Sequence, residues 1–194
     1  MSRTVHPIEA LSYAILRERV DTTGLPPLCR AVTERVIHAG ADLDYANDLV
    51  CDETGLAGGL AALRAGAPVV VDSAMVAAGI TGHPTVCLAR DPRAAELAAS
   101  EGITRSAAGI RLAHADVGQA AVWVIGNAPT ALAELVARDA DPALVVGLPV
   151  GFVGAVEAKR ALRATGWPAV SNRGEKGGSA VAAAALNALL YTEE

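Results

Sequence analysis

From Gly66 onward the chain alternates short β-branched runs with longer helical stretches, and that rhythm leaves few folds open. The runs are APVVVDSAM, TVCLA, QAAVWVIGN, ALVVGLP and WPAVSN; PRAAELAASEG, PTALAELVARD, AVEAKRALRATG and GGSAVAAAALNALLY separate or follow most of them. Strands that are apolar throughout, rather than alternating, are buried on both faces, as parallel strands with helical crossovers are. Right-handed crossovers then put helices on both sides of the sheet. The expected fold is α/β, a three-layer α/β/α sandwich with a mainly parallel sheet and an N-terminal helical segment. In that segment, Pro7 begins a helix with Ile8, Leu11, Ile15 and Leu16 on one face. PPLCRAVTERVIHAG, opened by proline and closed by glycine, makes a second. ANDLVCDETGLAGGLAALRAG reads as helix, loop and helix. With no repeat, linker or low-complexity tract, residues 1–194 form a single domain.

Hydrophobic residues make up 52% of the chain but aromatics only 3%, so the core must be built mainly from Ala, Val, Leu and Ile. The net charge of -5 argues against a nucleic-acid partner, which usually meets a basic surplus, but leaves room for an anionic small substrate in a local basic pocket. Cys29, Cys51 and Cys87 lie far apart without zinc-type spacing, as reduced cytosolic thiols do. Pro7 and Glu9 interrupt any apolar run at the start, so no signal peptide is expected. No run is long enough to span a bilayer. The expected setting is cytoplasmic, with no membrane partner.

In parallel sheets, ligands bind beyond the carboxyl ends of the strands. Those ends carry Asp72 to Met75, Gly126 and Asn127, Gly147 to Gly151, and Asn172 to Ser179. SNRGEKGGS is the most distinctive: a glycine-rich turn entering a helix, with Arg173 and Lys176, suits a carboxylate or phosphate. It lacks the full nucleotide phosphate-loop pattern. Asn127 in IGNAPTAL is placed to cap a helix. Arg105 and Arg111 in TRSAAGIR suit bidentate carboxylate recognition or a solvated surface. His38, in RVIHAGADLDY, stands at a helix end with Asp42 and Asp44 behind it. It fits an acid–base role, a helix C-terminal cation or a satisfied buried histidine. His6, His83 and His114 have no metal-ligand spacing around them. No serine-hydrolase turn or dinucleotide fingerprint occurs.

Taken together and in order, HPIEALS (6–12), RVIHAGAD (35–42), GAPVVVDSAMVAAGI (66–80), TRSAAGIR (104–111), GNAPTAL (126–132), GLPVGFVGAVEAK (147–159) and RGEKGGS (173–179) resemble the precorrin-8X methylmutase family of cobalamin biosynthesis. The resemblance covers nearly the whole chain. It implies an isomerase that moves a methyl group from C-11 to C-12 of a corrin-type macrocycle, a 1,5-sigmatropic shift. Precorrin-8X gives hydrogenobyrinic acid, or cobalt-precorrin-8 gives cobyrinic acid, with no cofactor and no resident metal. His38 falls on the family's active-site histidine, the implied general acid. Ser12 and Arg111 match positions lining the same pocket. Arg105, Asn127, Arg173 and Lys176 complete the expected substrate-binding set around a tetrapyrrole rim rich in carboxylates. Where the family often has a threonine, this chain reads Ala39-Gly40-Ala41-Asp42. A homodimer, and hand-over of product to neighbouring pathway enzymes, are further implications. The competing reading is a non-catalytic corrinoid-binding or carrier protein of the same fold. Retention of His38 with Ser12 favours the enzyme.

Overall fold

The computed structural model describes residues 6–138 and 140–192, so the expected domain of 1–194 and the reading of the first five residues extend outside it. In chain order the elements are α1 (Pro7–Arg19), α2 (Pro27–Gly40), α3 (Tyr45–Asp48), β1 (Leu49–Val50), α4 (Glu53–Arg64), β2 (Val69–Val71), α5 (Ala74–Gly79), β3 (Thr85–Val86), α6 (Pro92–Glu101), α7 (Arg105–Val117), β4 (Val122–Ile125), α8 (Pro129–Val136), β5 (Leu144–Gly147), α9 (Ala155–Ala164), β6 (Ala169–Asn172) and α10 (Ser179–Leu190). The six strands form one sheet in the order β1-β6-β5-β4-β2-β3, parallel except for β1, which pairs antiparallel with β6.

Side-chain alternation along the strands divides the core in two. Val69, Val71, Val122, Val124, Leu144 and Val146 face the layer made by α2, α4, α5 and α10. Val70, Trp123, Ile125 and Val145 face α7, α8 and α9 on the other side. The three-layer expectation is therefore borne out. Small residues set the spacing: a Cβ added at Gly59 would overlap Leu144, and one at Gly147 would overlap Leu162. Those glycines let helix and strand approach where an alanine would hold them apart.

Three elements depart from the expectation. β1, expected as loop, is an edge strand only two residues long, too short to show a period. α5 and α7 were not expected as helices. α7 buries Ala107, Ala108, Gly109 and Ala113 with only one large apolar residue, Ile110, so its apolar stripe is faint in the sequence. The apolar face of α1 is also different. Leu16 is buried, but Ile8 is 72% exposed, Leu11 60% and Ile15 39%, because α1 packs on α2 and not on the sheet. No helix among the described residues is long and apolar enough to cross a membrane.

Candidate functional site

The C-terminus of α2 meets the N-terminal turn of α10 at the carboxyl edge of the sheet, where Gly40 lies against Val181. α2 does not stop at Gly40 by a left-handed turn there. The helix includes Gly40, and Ala41 takes the left-handed conformation, with φ 49°. His38 sits in this last turn, half-buried. Its Nδ1 lies 2.8 Å from Ser12 Oγ on α1. The ring of Tyr13 stacks on the imidazole, with centroids 5.0 Å apart and planes 10° from parallel. Among the described residues nothing pairs with His38 Nε2. The ring is thus fixed from one edge and one face, and its other nitrogen is open to a ligand.

Asp42 and Asp44 do not pair with His38. Lys176 reaches across from the glycine-rich loop and binds both, at 2.7 Å to Asp42 and 2.5 Å to Asp44. The Asp44 N–H donates to Asp42 Oδ1, closing the turn. The Lys176 ammonium holds the Asp42 carboxyl below its ordinary value, and the two carboxylates raise Lys176 in return. Lys176 therefore ties the turn behind His38 to the loop before α10.

That loop, from Asn172 to Gly178, is packed down hard. Gly178 N–H donates to Leu148 O at 2.8 Å. A Cβ at Gly177 would collide with the carbonyl oxygens of Leu148 and Pro149, and its φ of 158° is one that side chains disfavour. Arg173 keeps its guanidinium at the surface. It donates to Asn47 O at 3.1 Å, while its backbone N–H donates to Asp48 at 2.8 Å. Ser179 Oγ, at the entry to α10, is buried without a hydrogen-bond partner. The residue that sequence reasoning missed here is Lys159 on α9. It is fully buried, and its ammonium donates into the same loop.

Asp72, after β2, organises the neighbouring loop. Its carboxylate accepts the N–H groups of Gly126, Asn127 and Ala128 at 3.1, 2.9 and 2.7 Å. Burial pushes the Asp72 carboxyl up, and those N–H donors push against that. Asn127 is not the cap of α8: the cap position is Ala128, without a side-chain bond. Asp72 instead fixes the backbone of the turn before α8, and the Asn127 side chain is half-buried at the sheet edge. Exposed apolar side chains rim this edge: Met75 is 61% exposed, Phe152 98% and Val153 88%.

The two arginines of α7 lie on the far face of the sheet from α2, with Ile110 and Ala113 in the second core cluster. Arg111 is engaged by Glu134 at 2.7 Å and by Glu101, so its charge is already neutralised within the chain. Arg105, the first residue of α7, has no carboxylate partner among the described residues. The structure therefore brings Ser12, His38, Lys176 and Arg173 together on the α2 and α10 side. Arg105 and Arg111 are on the α7 and α8 side, with Thr104, just before Arg105, bonded to Thr130 at the start of α8.

Among the described residues, no group of three or more His, Cys, Asp and Glu side chains could hold a metal ion. A cleft of about 600 Å³ lies beside α1 and α2, lined by Tyr13, Arg17, Glu34, Arg35 and Tyr191. Its cations are already bound, Arg17 to Glu34 and Arg35 to Glu9. The open nitrogen of His38 is therefore a better candidate for acid–base chemistry than any group lining that cleft.

The model of the precorrin-8X methylmutase family matches residues 7–192. Cobalt-precorrin-8 methylmutase of Methanothermobacter thermautotrophicus is 41% identical over 191 residues, covering 95% of this chain and 92% of that protein. Precorrin-8X methylmutase of Sinorhizobium sp is 40% identical over 190 residues, covering 92% and 90%. The crystal structure of precorrin-8x methyl mutase from Thermus thermophilus superposes with a TM-score of 0.86 at 37% identity, covering 94% of this chain and 93% of that one.

Proposed function

The chain belongs to the precorrin-8X methylmutase family, and we propose that His38 is the general acid of its methyl shift. As a member the protein is an isomerase of cobalamin biosynthesis. The reaction moves a methyl group from C-11 to C-12 of a precorrin-8 macrocycle. Proton donation to the conjugated ring makes it more electron-poor, which eases migration of the methyl group with its bonding pair.

The observation that carries this reading is the setting of His38: Nδ1 held by Ser12 at 2.8 Å, one ring face covered by Tyr13, and Nε2 open. A serine hydroxyl both donates and accepts. It accepts from Nδ1–H of the imidazolium, and goes on accepting after Nε2 gives its proton to the macrocycle, because the neutral ring then keeps its proton on Nδ1. Ser12 therefore supports His38 in both protonation states without moving.

Charge accounting narrows the substrate-binding set. Arg173 carries no carboxylate and lies on the loop tied to the His38 turn, so it takes a rim carboxylate directly. Lys176, already shared by Asp42 and Asp44, acts on the substrate through the turn it holds. Asn127 contributes at the same edge, and Met75 and Phe152 offer apolar area to a ring face. Arg105 and Arg111 enter across a contact between two copies of the chain. The exposed stripe of Ile8, Leu11 and Ile15 on α1 supports such a homodimer, because large apolar side chains aligned on one helix gain by being covered. Three free cysteines fit a cytoplasmic setting, and product passes from there to the next pathway enzyme.

The test is turnover of metal-free and cobalt-containing precorrin-8 side by side, followed by absorption. Conversion of at least one, abolished in a folded His38→Ala variant, is expected. Full activity of that variant sinks the general-acid assignment. Tight binding without conversion of either substrate leaves the carrier reading.

A further inference from the structure

Lys159 presents an unusual arrangement. It is fully buried on α9, yet no carboxylate touches its ammonium. All three N–H donors go to neutral oxygens: Asn172 Oδ1 at 2.7 Å, Gly174 O at 2.7 Å and Lys176 O at 2.6 Å. Two of those acceptors are backbone carbonyls of the glycine-rich loop. The third belongs to Asn172, whose Nδ2 donates on to Asp48 at 2.7 Å and to Lys176 O at 3.0 Å. Asp48 in turn receives the Arg173 N–H. One buried ammonium thus fixes the backbone on either side of Glu175, and with it the starting points of the Arg173 and Lys176 side chains.

An ammonium is costly to bury, and a fold meets that cost only where the donors are needed. Leucine or methionine would fill the same space between α9 and β6, but would orphan the Gly174 carbonyl and the Asn172 amide oxygen and leave the Lys176 carbonyl to Asn172 Nδ2 alone. Main-chain carbonyls that converge on one point repel each other unless a cation sits among them.

We propose that Lys159 is a positioning residue for the isomerase: it clamps the loop from Asn172 to Lys176 in the shape that aims Arg173 at the substrate and holds the Lys176 bridge beside the His38 turn. This rests on the functional reading above for the identity of the ligand, but the clamp itself does not. Lys159 touches no substrate and acts only through the loop.

A pH signature follows. Burial pulls the Lys159 ammonium down to about 8. The charged groups around it are Asp48 on α3 and Glu175 in the loop, which favour the proton, and Arg163 on α9, which opposes it. Arg173 lies beyond, against Arg163. The ordinary lysine value is 10.5, so the charged clamp is complete below about 8 and loses one donor as pH rises through it. Loop order, and with it product affinity, then falls on the alkaline side.

The test measures two things from pH 7 to 9 on the intact protein: affinity for the metal-free corrin product by absorption titration, and hydrogen exchange of amides 173–178 corrected for the intrinsic rate. The wild type should lose affinity, and the loop should open, as pH passes about 8. Lys159→Met should bind roughly tenfold more weakly at pH 7, the cost of an unmade charge-assisted bond, and should lose the pH step. Its KM should rise more than its kcat falls. Wild-type affinity and exchange that stay flat to pH 9 overturn the proposal, and they serve alone if the variant does not fold. A folded Lys159→Met with wild-type affinity and exchange overturns it too. If the wild type binds no corrin at any pH, the functional reading fails, and the exchange arm still decides the clamp.

Discussion

Ser12 Oγ and His38 Nδ1 lie 2.8 Å apart although 26 residues separate them in the chain. The contact joins α1 to the last turn of α2, so it sets the direction of the imidazole from outside the helix that carries it. Without Ser12, the ring keeps its stack on Tyr13 but loses the partner that fixes its rotation about that stack. Ser12→Ala should therefore fold normally and lower kcat by roughly tenfold or more, since one hydrogen bond of this kind is worth about 1–2 kcal/mol. Ser12→Thr should retain most activity. Steady-state kinetics and a melting curve check both variants. An unchanged kcat in Ser12→Ala would leave Ser12 as packing only.

Lys176 bridges Asp42 and Asp44 from the other side of the site. Lys176→Met leaves two neighbouring carboxylates facing each other at the turn that ends α2, where Ala41 already holds a left-handed conformation. The turn should loosen and His38 with it. The expected result is a kcat roughly tenfold lower with little change in melting temperature, because the ammonium is largely solvent-exposed and contributes little to stability. Restoring the cation as Lys176→Arg should recover part of the loss. A variant whose KM rises with kcat unchanged would instead make Lys176 a direct ligand for the substrate rim.

Much of this architecture is legible from local chemistry. α2, α6 and α8 begin with proline in their first turn. Four of the five parallel strands stop at a polar residue or glycine, β2 before Asp72, β4 before Gly126, β5 at Gly147 and β6 at Asn172, and the buried VVV of β2 could be little else. β1 and α5 are too short to show a period, and α7 packs through alanines whose contacts depend on what stands opposite. The position of His38 at a helix end is readable from RVIHAGAD, but its dependence on Ser12 is not, because it arises from the crossing of α1 over α2. Lys159 is the sharpest case. In AVEAKRALRATG it looks like one more solvated cation beside Arg160 and Arg163. Only the return of the chain through Asn172 to Lys176 buries it. The assignment of Lys176 changes for the same reason: its acidic partners stand 134 and 132 residues earlier.

Glu34 offers a test of the helical layer that holds His38 in place. It is buried on α2 and accepts from Arg17, Thr22 and Arg30. Burial alone would raise its carboxyl, but those donors outweigh it and hold it at about 2, against an ordinary 4.5. A depressed carboxylate contributes stability that is whole above the unfolded value and is lost as pH falls through the folded one. Wild-type stability should therefore fall between pH 4.5 and about 2. Glu34→Gln should melt roughly 2–8 °C lower at pH 7, and its gap from the wild type should close across that acid window. A gap independent of pH would assign the loss to packing rather than to the ion pairs.

The substrate rim is unchanged by a methyl shift, so the groups that hold its carboxylates must hold those of the product as well. Such contacts bind ground state and product alike and cannot by themselves raise kcat. Only a contact that strengthens as the methyl migrates lowers the barrier, and that is the role proposed for the open Nε2 of His38. Two consequences follow. The product should bind about as tightly as the substrate and inhibit turnover, and the protein purified from a pathway-competent cell should carry colour. Affinity should also fall with salt, because Arg173 stands at the surface and the screening length shrinks from about 10 Å at 0.1 M to about 3 Å at 1 M. Arg173→Ala should weaken product roughly tenfold at low salt and flatten the salt dependence, while kcat at saturating substrate stays near the wild-type value. His38→Ala should do the reverse, binding product almost normally and losing turnover. Titrations of product at low and high salt against the three proteins separate these patterns. A product that binds far more weakly than substrate in the wild type would mean that the rim does not carry the affinity.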